Sequence, residues 1–306
     1  MNLFIAALYT NGYMPGQTRY EKLTDIEKDI CAKTPHILES YHYVLKQKYV
    51  DDMRRDNATV FLDSGAFSAW TLGATINIED YCAYIIRNRD IIRHEDGVMM
   101  ASVLDGIGDP LQTWRNQLEM EQRGAKPLPC FHFGEDEKYL EWYIQNYEYI
   151  TIGGMVGKSS QKLRIWLDRI WDRYLVDGSG NAKIKVHGFG LTSVPLMGDY
   201  PWYSCDSSSC IQAAAFGSAV HPKHGPLRVS EKSPSRHDAG QHLCNLTPIE
   251  QDFLFKELED MGFTYERLST VYESRAAYNI WGYCTINHMI NASHDLEFKA
   301  RAQELF

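Results

Sequence analysis

The chain has 306 residues, of which 44% are hydrophobic and 12% aromatic, and its formal net charge is −9. This composition supports one large core and excludes a membrane span, because no stretch approaches the roughly 18 consecutive apolar residues that a span needs. The acidic balance excludes a protein that coats nucleic acid non-specifically, because such binding depends on neutralising phosphates with Lys and Arg.

The N-terminal run and the cysteines indicate the compartment. The segment Leu3–Thr10 has no basic lead-in and no cleavage site of small residues, so it is typical of a first strand and not of a signal peptide. The seven cysteines are an odd number spread through the chain, which favours reduced thiols over a disulfide framework. We therefore expect a cytoplasmic protein with no membrane partner.

Eight apolar runs, each ending in a polar residue or glycine, predict eight strands. They are Leu3–Thr10, Val60–Phe67, Val98–Asp105, Pro127–Gly134, Tyr149–Gly154, Lys183–Gly190, Trp202–Ser209 and the weaker Ala215–His221. Amphipathic stretches alternate with them, at Ile78–Arg93, Pro110–Gly124, Glu137–Tyr147 and Ser160–Tyr174. Alternation of this kind predicts a parallel α/β sheet.

Eight such units predict a (β/α)₈ TIM barrel over residues 1–221. Residues 222–306 then supply a basic loop and C-terminal helices, Pro248–Met261 and Thr264–Ala292, that pack on the barrel within one overall domain. An open doubly wound sheet is the alternative architecture.

Three aspartates lie where the predicted strands end, which is where barrel enzymes place their active sites. Asp63 stands in FLDSGAFS with Ser64 and Gly65, Asp105 ends VLD, and Asp206 stands in YSCDSSSC. A carboxylate at a barrel mouth costs desolvation unless a ligand or partner compensates, so the three together indicate chemistry. Each one alone is equally typical of a helix cap.

Other residues at the same strand ends are candidates to bind a flat ligand. The loop TIGGMVG permits close backbone approach, although its glycines are also typical of a tight turn. Strand histidines are more often structural, and aromatic residues at strand ends also pack in cores. The chain contains no GxGxxG, GxxxxGK[ST] or GxSxG motif, so neither a nucleotide cofactor nor acyl transfer is predicted. The candidates are Gly153, Gly154, Met155, His132, His187, Phe67 and Phe133.

These motifs carry a family resemblance. FLDSGAFS resembles the Asp-Ser-Gly-Gly-aromatic motif of the tRNA-guanine transglycosylases, and TIGGMVG resembles their Gly-Gly-Leu loop. VHGFGLTS and WYSCDSSS are similar to their histidine-containing strand and their nucleophile strand. The resemblance covers about Val60 to Ser209, with four motifs in the family's order. The short chain and the CDSSSC form look most like the phage-type branch that inserts 7-deazaguanine bases into DNA.

The resemblance implies roles for the three aspartates. Asp206 takes the nucleophile position, Asp63 the general acid/base position, and Asp105 the position that binds the N1–H and 2-amino edge of the purine. Ser64, Gly65, Phe67, His132, Gly153, Gly154, Met155 and His187 would surround the base. The expected substrates are DNA, with the target nucleotide flipped out of the stack, and a free 7-deazaguanine such as 7-cyano-7-deazaguanine (preQ0). The compartment would be the host cytoplasm if the chain is phage-encoded.

Two basic segments, Lys158–Arg173 and His221–His242, are candidates to contact phosphates. Surface-exposed helix and loop residues with no ligand give the same pattern. The residues concerned are Lys158, Lys223, Arg228, Lys232 and Arg236.

The zinc motif of the tRNA enzymes, Cys-x-Cys-x-x-Cys followed by a distant His, is missing from this sequence. The residues His242, Cys244, Cys284 and His288 are the nearest substitutes, but their spacing is not the family's, so we predict no required cofactor and no metal. Loss of this element weakens the case for a tRNA substrate.

Three other functions are compatible with the sequence. The same base exchange on tRNA is the first, and a non-catalytic nucleic-acid-binding barrel that partners an active subunit is the second. A carboxylate-based glycosidase is the third, although it leaves the glycine pair unexplained. The sequence also leaves open the oligomeric state, a homodimer included, and the substituent at position 7.

Overall fold

The computed structural model describes residues 1–237 and 242–303, with side chains as far as residue 293. The chain divides into two compact units. The first comprises Met1–Thr10 and His36–Ser207, and the second comprises Asn11–Pro35 and Ser208–Phe306. Within the described part of the chain, none of the helices is both long and apolar enough to cross a membrane.

The strands of the described residues are β1 (Asn2–Ala6), β2 (Ile37–Ser40), β3 (Val60–Asp63), β4 (His94–Glu95), β5 (Val98–Met99), β6 (Cys130–His132), β7 (Tyr149–Gly153), β8 (Lys185–Gly188), β9 (Ser204–Ser207), β10 (Ser218–His221) and β11 (Gly225–Arg228). The α-helices are α1 (Asp25–Ala32), α2 (Tyr41–Val44), α3 (Gln47–Arg55), α4 (Ala66–Thr71), α5 (Ile78–Arg87), α6 (Pro110–Gln122), α7 (Glu137–Asn146), α8 (Ser160–Ile170), α9 (Val194–Asp199), α10 (Ser209–Ala215), α11 (Pro248–Asp260), α12 (Tyr265–Thr270) and α13 (Tyr272–Gln303). Short 3-10 turns lie at Tyr20–Lys22, Arg89–Ile91, Pro234–His237 and Leu243–Asn245, and a π-helical turn at Trp171–Leu175.

Seven parallel strands form a curled sheet in the first unit, in the order β3-β2-β1-β9-β8-β7-β6. The mixed α/β class that the sequence predicts is therefore confirmed. The segment before Asp105 contacts both edges of the sheet. Ser102 N–H donates to the Leu62 carbonyl at 2.9 Å, and Leu128 N–H donates to the Ala101 carbonyl at 2.7 Å. These residues form isolated parallel bridges to β3 on one side and to the residues before β6 on the other.

Six of the eight predicted runs contain strands of this sheet, namely β1, β3, β6, β7, β8 and β9. Strand β2, which lies between β1 and β3, was not predicted. The run Val98–Asp105 differs from its prediction, because its regular part β5 pairs antiparallel with β4 and only residues after it bridge the sheet.

The prediction of an eighth parallel strand at Ala215–His221 is wrong. Strand β10 pairs antiparallel with β11 in a separate hairpin of the second unit. Pro222 and Gly225, whose φ is +73°, return the chain within a few residues. A parallel neighbour requires a crossover of a dozen or more residues, and this turn leaves no room for one.

The helices begin where capping residues allow them to begin. Asn77, Asp109, Asp136 and Ser159 each accept a hydrogen bond from a backbone N–H of the first turn of α5, α6, α7 and α8. Thr247 and Glu250 form a reciprocal capping box at α11. These caps satisfy backbone donors that have no partner inside the helix. The predicted starts of these five helices are confirmed.

Each unit has its own apolar core. In the first unit, residues of the strands and of the segments between them pack together on one side of the sheet. They are Phe4, Ala6, Leu38, Phe61, Met100, Leu128 and Tyr149. In the second unit the hairpin and the C-terminal helices bury Ala219, Val229, Leu243, Leu254, Leu258, Phe263, Leu268 and Tyr278. The curled sheet is thereby fixed, and the carboxyl ends of its strands lie along one edge.

Candidate active site

Asp63 is the last residue of β3, and its carboxylate is held by two donors. The Ser40 hydroxyl donates to Oδ2 at 2.7 Å, and the Gly65 backbone N–H donates to the same oxygen at 3.0 Å. Burial raises the pKa of Asp63 to about 6; the Ser40 hydrogen bond opposes this rise, and the nearby carboxylates of Asp105 and Asp206 add to it. The Asp63 carboxyl therefore titrates close to neutral pH, where a group can both donate and accept a proton.

Asp206 lies in β9 and is almost fully buried. The Gly190 backbone N–H donates to its Oδ1 at 2.8 Å, and Nε2 of His187 lies 3.3 Å from the same oxygen. Burial lowers the pKa of His187 although Asp206 opposes this, so the imidazole is neutral at neutral pH.

The neutral ring of His187 is part of a hydrogen-bond chain through the interior. Its Nδ1 lies 2.6 Å from the Ser204 hydroxyl, which lies 2.6 Å from the Tyr149 hydroxyl. The chain is satisfied when Tyr149 donates to Ser204, Ser204 donates to Nδ1, and Nε2–H donates to Asp206. The orientation of the Asp206 carboxylate is therefore set by partners on β7 and β8 and by Ser204 on its own strand.

Asp105 follows the residues that bridge β3 to the segment before β6. Its Oδ2 lies 3.3 Å from Nε2 of His132, the last residue of β6. Its Oδ1 is buried and has no hydrogen-bond partner. A buried carboxylate oxygen without a partner carries an uncompensated desolvation cost, which a donor from a ligand, a water molecule or an ion would offset.

His132 is itself held on its other side. Nδ1 lies 2.9 Å from Oε1 of Glu135, and the backbone N–H of His132 donates to Oε2 of the same residue at 3.0 Å. Burial lowers the pKa of His132, but Cys130 and Asp105 more than offset this, so the pKa lies well above its usual value. The side chain is thus fixed between two carboxylates.

Asp63 ends β3, Asp206 lies in β9, and Asp105 follows the residues that bridge β3 to the segment before β6. The charges of Asp105 and Asp206 both add to the rise in the pKa of Asp63. Ser64 lies beside them, fully buried, with its backbone N–H donating to the Ser102 hydroxyl at 2.8 Å. Three carboxylates from separate segments of the chain, two of which accept from hydroxyl or backbone amide donors, form a site for proton transfer and nucleophilic attack.

Gly65 is required by this geometry. Its φ is +72°, and a Cβ atom there would lie 2.7 Å from Cβ of His42, closer than real Cβ atoms approach. Its N–H is one of the two donors to Asp63.

We expect Gly65→Ala to destabilise the protein by about 2–4 kcal/mol, because it adds a steric clash to an unfavourable backbone conformation. Gly73 is the matched control, since its φ is +69° but nothing lies within 4 Å of an added Cβ. Gly73→Ala should cost only the backbone strain, about 1 kcal/mol. Urea unfolding of both variants measures the difference, and equal losses would contradict the argument.

The glycine loop after β7 lies against β6. A Cβ on Gly153 would be 3.0 Å from Cδ2 of His132, and one on Gly154, whose φ is +71°, would be 3.0 Å from the Phe133 nitrogen. Met155 is buried. Glycine fits these positions because the ends of β6 and β7 approach too closely for a larger side chain. This structural reason explains the glycines without a ligand, and their contact with a base remains a prediction.

The aromatic candidates differ in exposure. Phe67 is 55% exposed and lies beside Trp70, which is 60% exposed, with ring centroids 6.2 Å apart. Phe133 instead packs against Trp166 at 5.0 Å. Phe67 and Trp70 are thus free to stack on a ligand, and Trp70 was not singled out from the sequence.

The predicted phosphate-binding residues fall in both units. Lys158, in the first unit, is exposed, and its Nζ lies 5.6 Å from the Phe133 ring centroid. Lys223, Arg228, Lys232 and Arg236 are exposed in the second unit, and Lys223 Nζ lies 3.8 Å from Glu257. Residues 238–241 of the segment His221–His242 lie outside the described residues.

The four substitute zinc ligands do not form one group. Nδ1 of His242 lies 3.0 Å from Sγ of Cys244, while its Nε2 lies 3.0 Å from the Ser230 carbonyl. Cys284 and His288 lie on α13. Among the described residues, two other sets place three ligand atoms within 4.8 Å of one another: Asp105, Cys130 and His132, and His221, His224 and Glu257. Neither set was considered as metal ligands from the sequence.

No protein-family model and no curated protein matches this chain. The resemblance to the transglycosylases therefore rests on the four motifs.

Proposed function

We propose that the protein is a base-exchange transglycosylase that replaces guanine in DNA with a 7-deazaguanine through a covalent intermediate between Asp206 and C1′. The observation that carries the proposal is the presence of three carboxylates at the strand ends that differ in their hydrogen-bond partners. Asp206 is oriented by a neutral His187, Asp63 has a pKa of about 6, and Asp105 presents a buried oxygen with no partner.

We further propose that the first unit is a closed (β/α)₈ barrel, with residues 101–102 serving as the eighth strand between β3 and β6. The parallel bridges Leu62 to Ala101 and Ser102 to Leu128 support this closure. In a closed barrel the carboxyl ends of all strands ring one mouth, which would hold the base above the three aspartates.

In the first displacement, an oxygen of Asp206 attacks C1′ of the target nucleotide and the bond from C1′ to N9 of guanine breaks. The protonated carboxyl of Asp63 gives its proton to the departing base, so guanine leaves neutral. The Gly190 and His187 contacts are both to Oδ1 of Asp206, and we assign the attack to Oδ2. The product is a glycosyl ester on Asp206.

In the second displacement, the ionised Asp63 takes the N9 proton of the incoming 7-deazaguanine, and N9 attacks C1′. The ester bond breaks and Asp206 returns to its carboxylate form. Two inversions at C1′ retain the anomeric configuration. One carboxyl serves both half-reactions, which requires a pKa near the working pH.

Asp105 is proposed to bind the donor edge of the base, N1–H and the 2-amino group, with its unpartnered Oδ1. We expect Asp105→Asn to weaken base binding about 10- to 100-fold, because an amide NH₂ facing a donor leaves a buried mismatch costing about 1–3 kcal/mol. It should also relax the choice between guanine and bases that lack the amino group. Equilibrium binding of free bases to both proteins measures this, and unchanged affinity would rule out the role.

The DNA partner requires phosphate contacts in an acidic protein. Replacing Lys223, Arg228 and Lys232 with Gln should weaken DNA binding and reduce the slope of log affinity against log salt by about one to three, because each lost phosphate contact removes about one released counterion. Replacement of the exposed residues Lys46, Lys48 and Arg115 changes net charge equally and is the control. Equal salt slopes in the two triple variants would show that the segment His221–His242 is a surface loop that does not contact phosphates.

Incubation with 7-cyano-7-deazaguanine, followed by mass spectrometry of nucleosides from DNA and from tRNA, tests the function. Modified deoxyguanosine sites in DNA support the proposal. Modification of tRNA alone would assign the same chemistry to the other substrate, and modification of neither would favour a non-catalytic subunit.

A further inference from the structure

The side chains of Asp105, Cys130 and His132 converge on one point at the candidate site. Nε2 of His132 lies 3.3 Å from Oδ2 of Asp105 and 3.4 Å from Sγ of Cys130. In a tetrahedral zinc site with ordinary bond lengths, the ligand atoms are separated by about 3.4 Å for nitrogen and oxygen and about 3.6 Å for nitrogen and sulfur. Both measured separations fit those edges.

His132 is also oriented by a carboxylate, Glu135, as metal-binding histidines commonly are. Glu135 binds Nδ1 at 2.9 Å, so Nδ1 keeps its proton, and Nε2, which faces Asp105 and Cys130, is the nitrogen that would give up its proton to bind a metal. Metal-bound histidines in proteins are oriented by a carboxylate in this way, so the cluster has an outer carboxylate as well as three ligands.

Two of the three ligands are partly exposed, which gives an ion access to them. Asp105 and His132 retain 17% and 19% of their side-chain exposure, whereas Cys130 is buried behind them. Gly153 backs the cluster, and a Cβ there would lie 3.2 Å from Sγ of Cys130. Oδ1 of Asp105 has no partner in the protein.

We propose that Asp105, Cys130 and His132 bind one Zn²⁺ ion, with the fourth coordination position open toward the strand ends. When the metal binds, the Cys130 thiol and Nε2–H of His132 each lose a proton to solvent, so a thiolate, a carboxylate and a neutral imidazole hold the ion and the two anionic ligands neutralise its charge. A set of one thiolate, one imidazole and one carboxylate selects zinc or another borderline transition metal over Mg²⁺ and Ca²⁺, which require oxygen ligands.

A consequence follows that rests on the proposed function. Asp105 is the residue proposed to bind the purine edge through Oδ1, while Oδ2 faces the metal. A Zn²⁺ ion on Oδ2 would withdraw negative charge from the carboxylate and place positive charge beside the N1–H and 2-amino donors, so metal and base would oppose each other's binding. Zinc would then inhibit base exchange in competition with the free base, and the free base would protect the site from metal.

Cobalt titration of chelator-treated full-length protein tests metal binding without any assay of activity. We expect one Co²⁺ per chain, with the visible bands of tetrahedral cobalt and a near-ultraviolet band from the thiolate, all displaced by Zn²⁺. Cys130→Ser should remove the near-ultraviolet band and weaken binding at least about tenfold, and Glu135→Gln should weaken binding about 10- to 100-fold. Circular dichroism checks that each variant is folded.

Two control variants separate this site from other ligands in the chain. Cys244→Ser removes a partly exposed thiol, and His224→Gln removes a member of the second cluster; both should bind cobalt as the wild type does. A thiolate band that persists in Cys130→Ser, or one that disappears in Cys244→Ser, would overturn the assignment. If Cys130→Ser does not fold and Glu135→Gln does, an unchanged affinity of Glu135→Gln for cobalt would also overturn the proposal.

The competition experiment distinguishes this inference from the proposed function. Exchange that zinc inhibits in the wild type and not in Cys130→Ser supports both. Cobalt binding without any base exchange would leave the metal site standing and remove the transglycosylase. Exchange with no cobalt binding would remove the metal site alone.

Discussion

Asp206→Asn is expected to abolish base exchange, with a loss of at least about 10³-fold, and to leave no covalent adduct with guanine-containing DNA. An amide has the shape of a carboxylate but is a very poor nucleophile, and the Gly190 N–H can still donate to its oxygen. The variant should therefore fold and bind DNA as the wild type does. Trapping on a denaturing gel, with and without free base, measures the adduct.

Asp172→Asn is the control for this experiment, because it removes a carboxylate from an exposed position of the same unit. It should form the adduct at the wild-type rate. Exchange at wild-type rates in Asp206→Asn, or an adduct that survives in it, would assign the nucleophile elsewhere and overturn the proposed mechanism.

The second large effect concerns the pH at which the adduct forms. Departure of guanine needs the protonated form of Asp63, and burial raises the pKa of this residue to about 6. The protonated fraction is therefore nearly complete well below pH 6 and falls tenfold with each pH unit above it. We expect single-turnover adduct formation to follow this decline.

Asp63→Asn should lower the rate of adduct formation by about 10²- to 10⁴-fold and remove the decline above pH 6. Ser40→Ala offers a milder comparison. The Ser40 hydrogen bond lowers the pKa of Asp63, so its loss should move the midpoint of the decline to higher pH. A midpoint that stays in place in Ser40→Ala, or a decline that persists in Asp63→Asn, would show that another group provides the proton.

The parts of the fold that the sequence predicted are those that local patterns specify. Long apolar runs such as Tyr149–Gly154 identify strands, and caps such as Asp109 before Pro110 identify helix starts. Strand β2 was missed because Ile37–Ser40 is too short to show a pattern. Strand β10 was misplaced because an apolar run has the same composition whether the chain next crosses over or turns back.

The sequence predicted the three aspartates of the site but not the groups that donate hydrogen bonds to them. Asp63, Asp105 and Asp206 each end or nearly end an apolar run, which places them at one edge of a parallel sheet. The donors Ser40 and Gly190 contact these acids only because particular strands become neighbours, and no local pattern contains that information. The spacing Cys130-x-His132 did contain a signal, because residues two apart in a strand face the same side.

The residue proposed to recognise the base and the residue proposed to break the glycosidic bond are held in the sheet in different ways. Asp206 and His187 lie on β9 and β8, which are paired along their length with neighbouring strands. Asp105 instead follows a stretch held by isolated bridges. Helix side chains also hold this stretch, because Tyr81 donates to the Ser102 carbonyl at 2.9 Å and Asn116 donates to the Leu104 carbonyl at 2.6 Å. The group proposed to read the base is thus positioned with the help of α5 and α6, and the group proposed to break the glycosidic bond is positioned by strands that pair along their length. Substitutions near residues 101–102 can therefore change which base is accepted while the Asp206 carboxylate stays in its position.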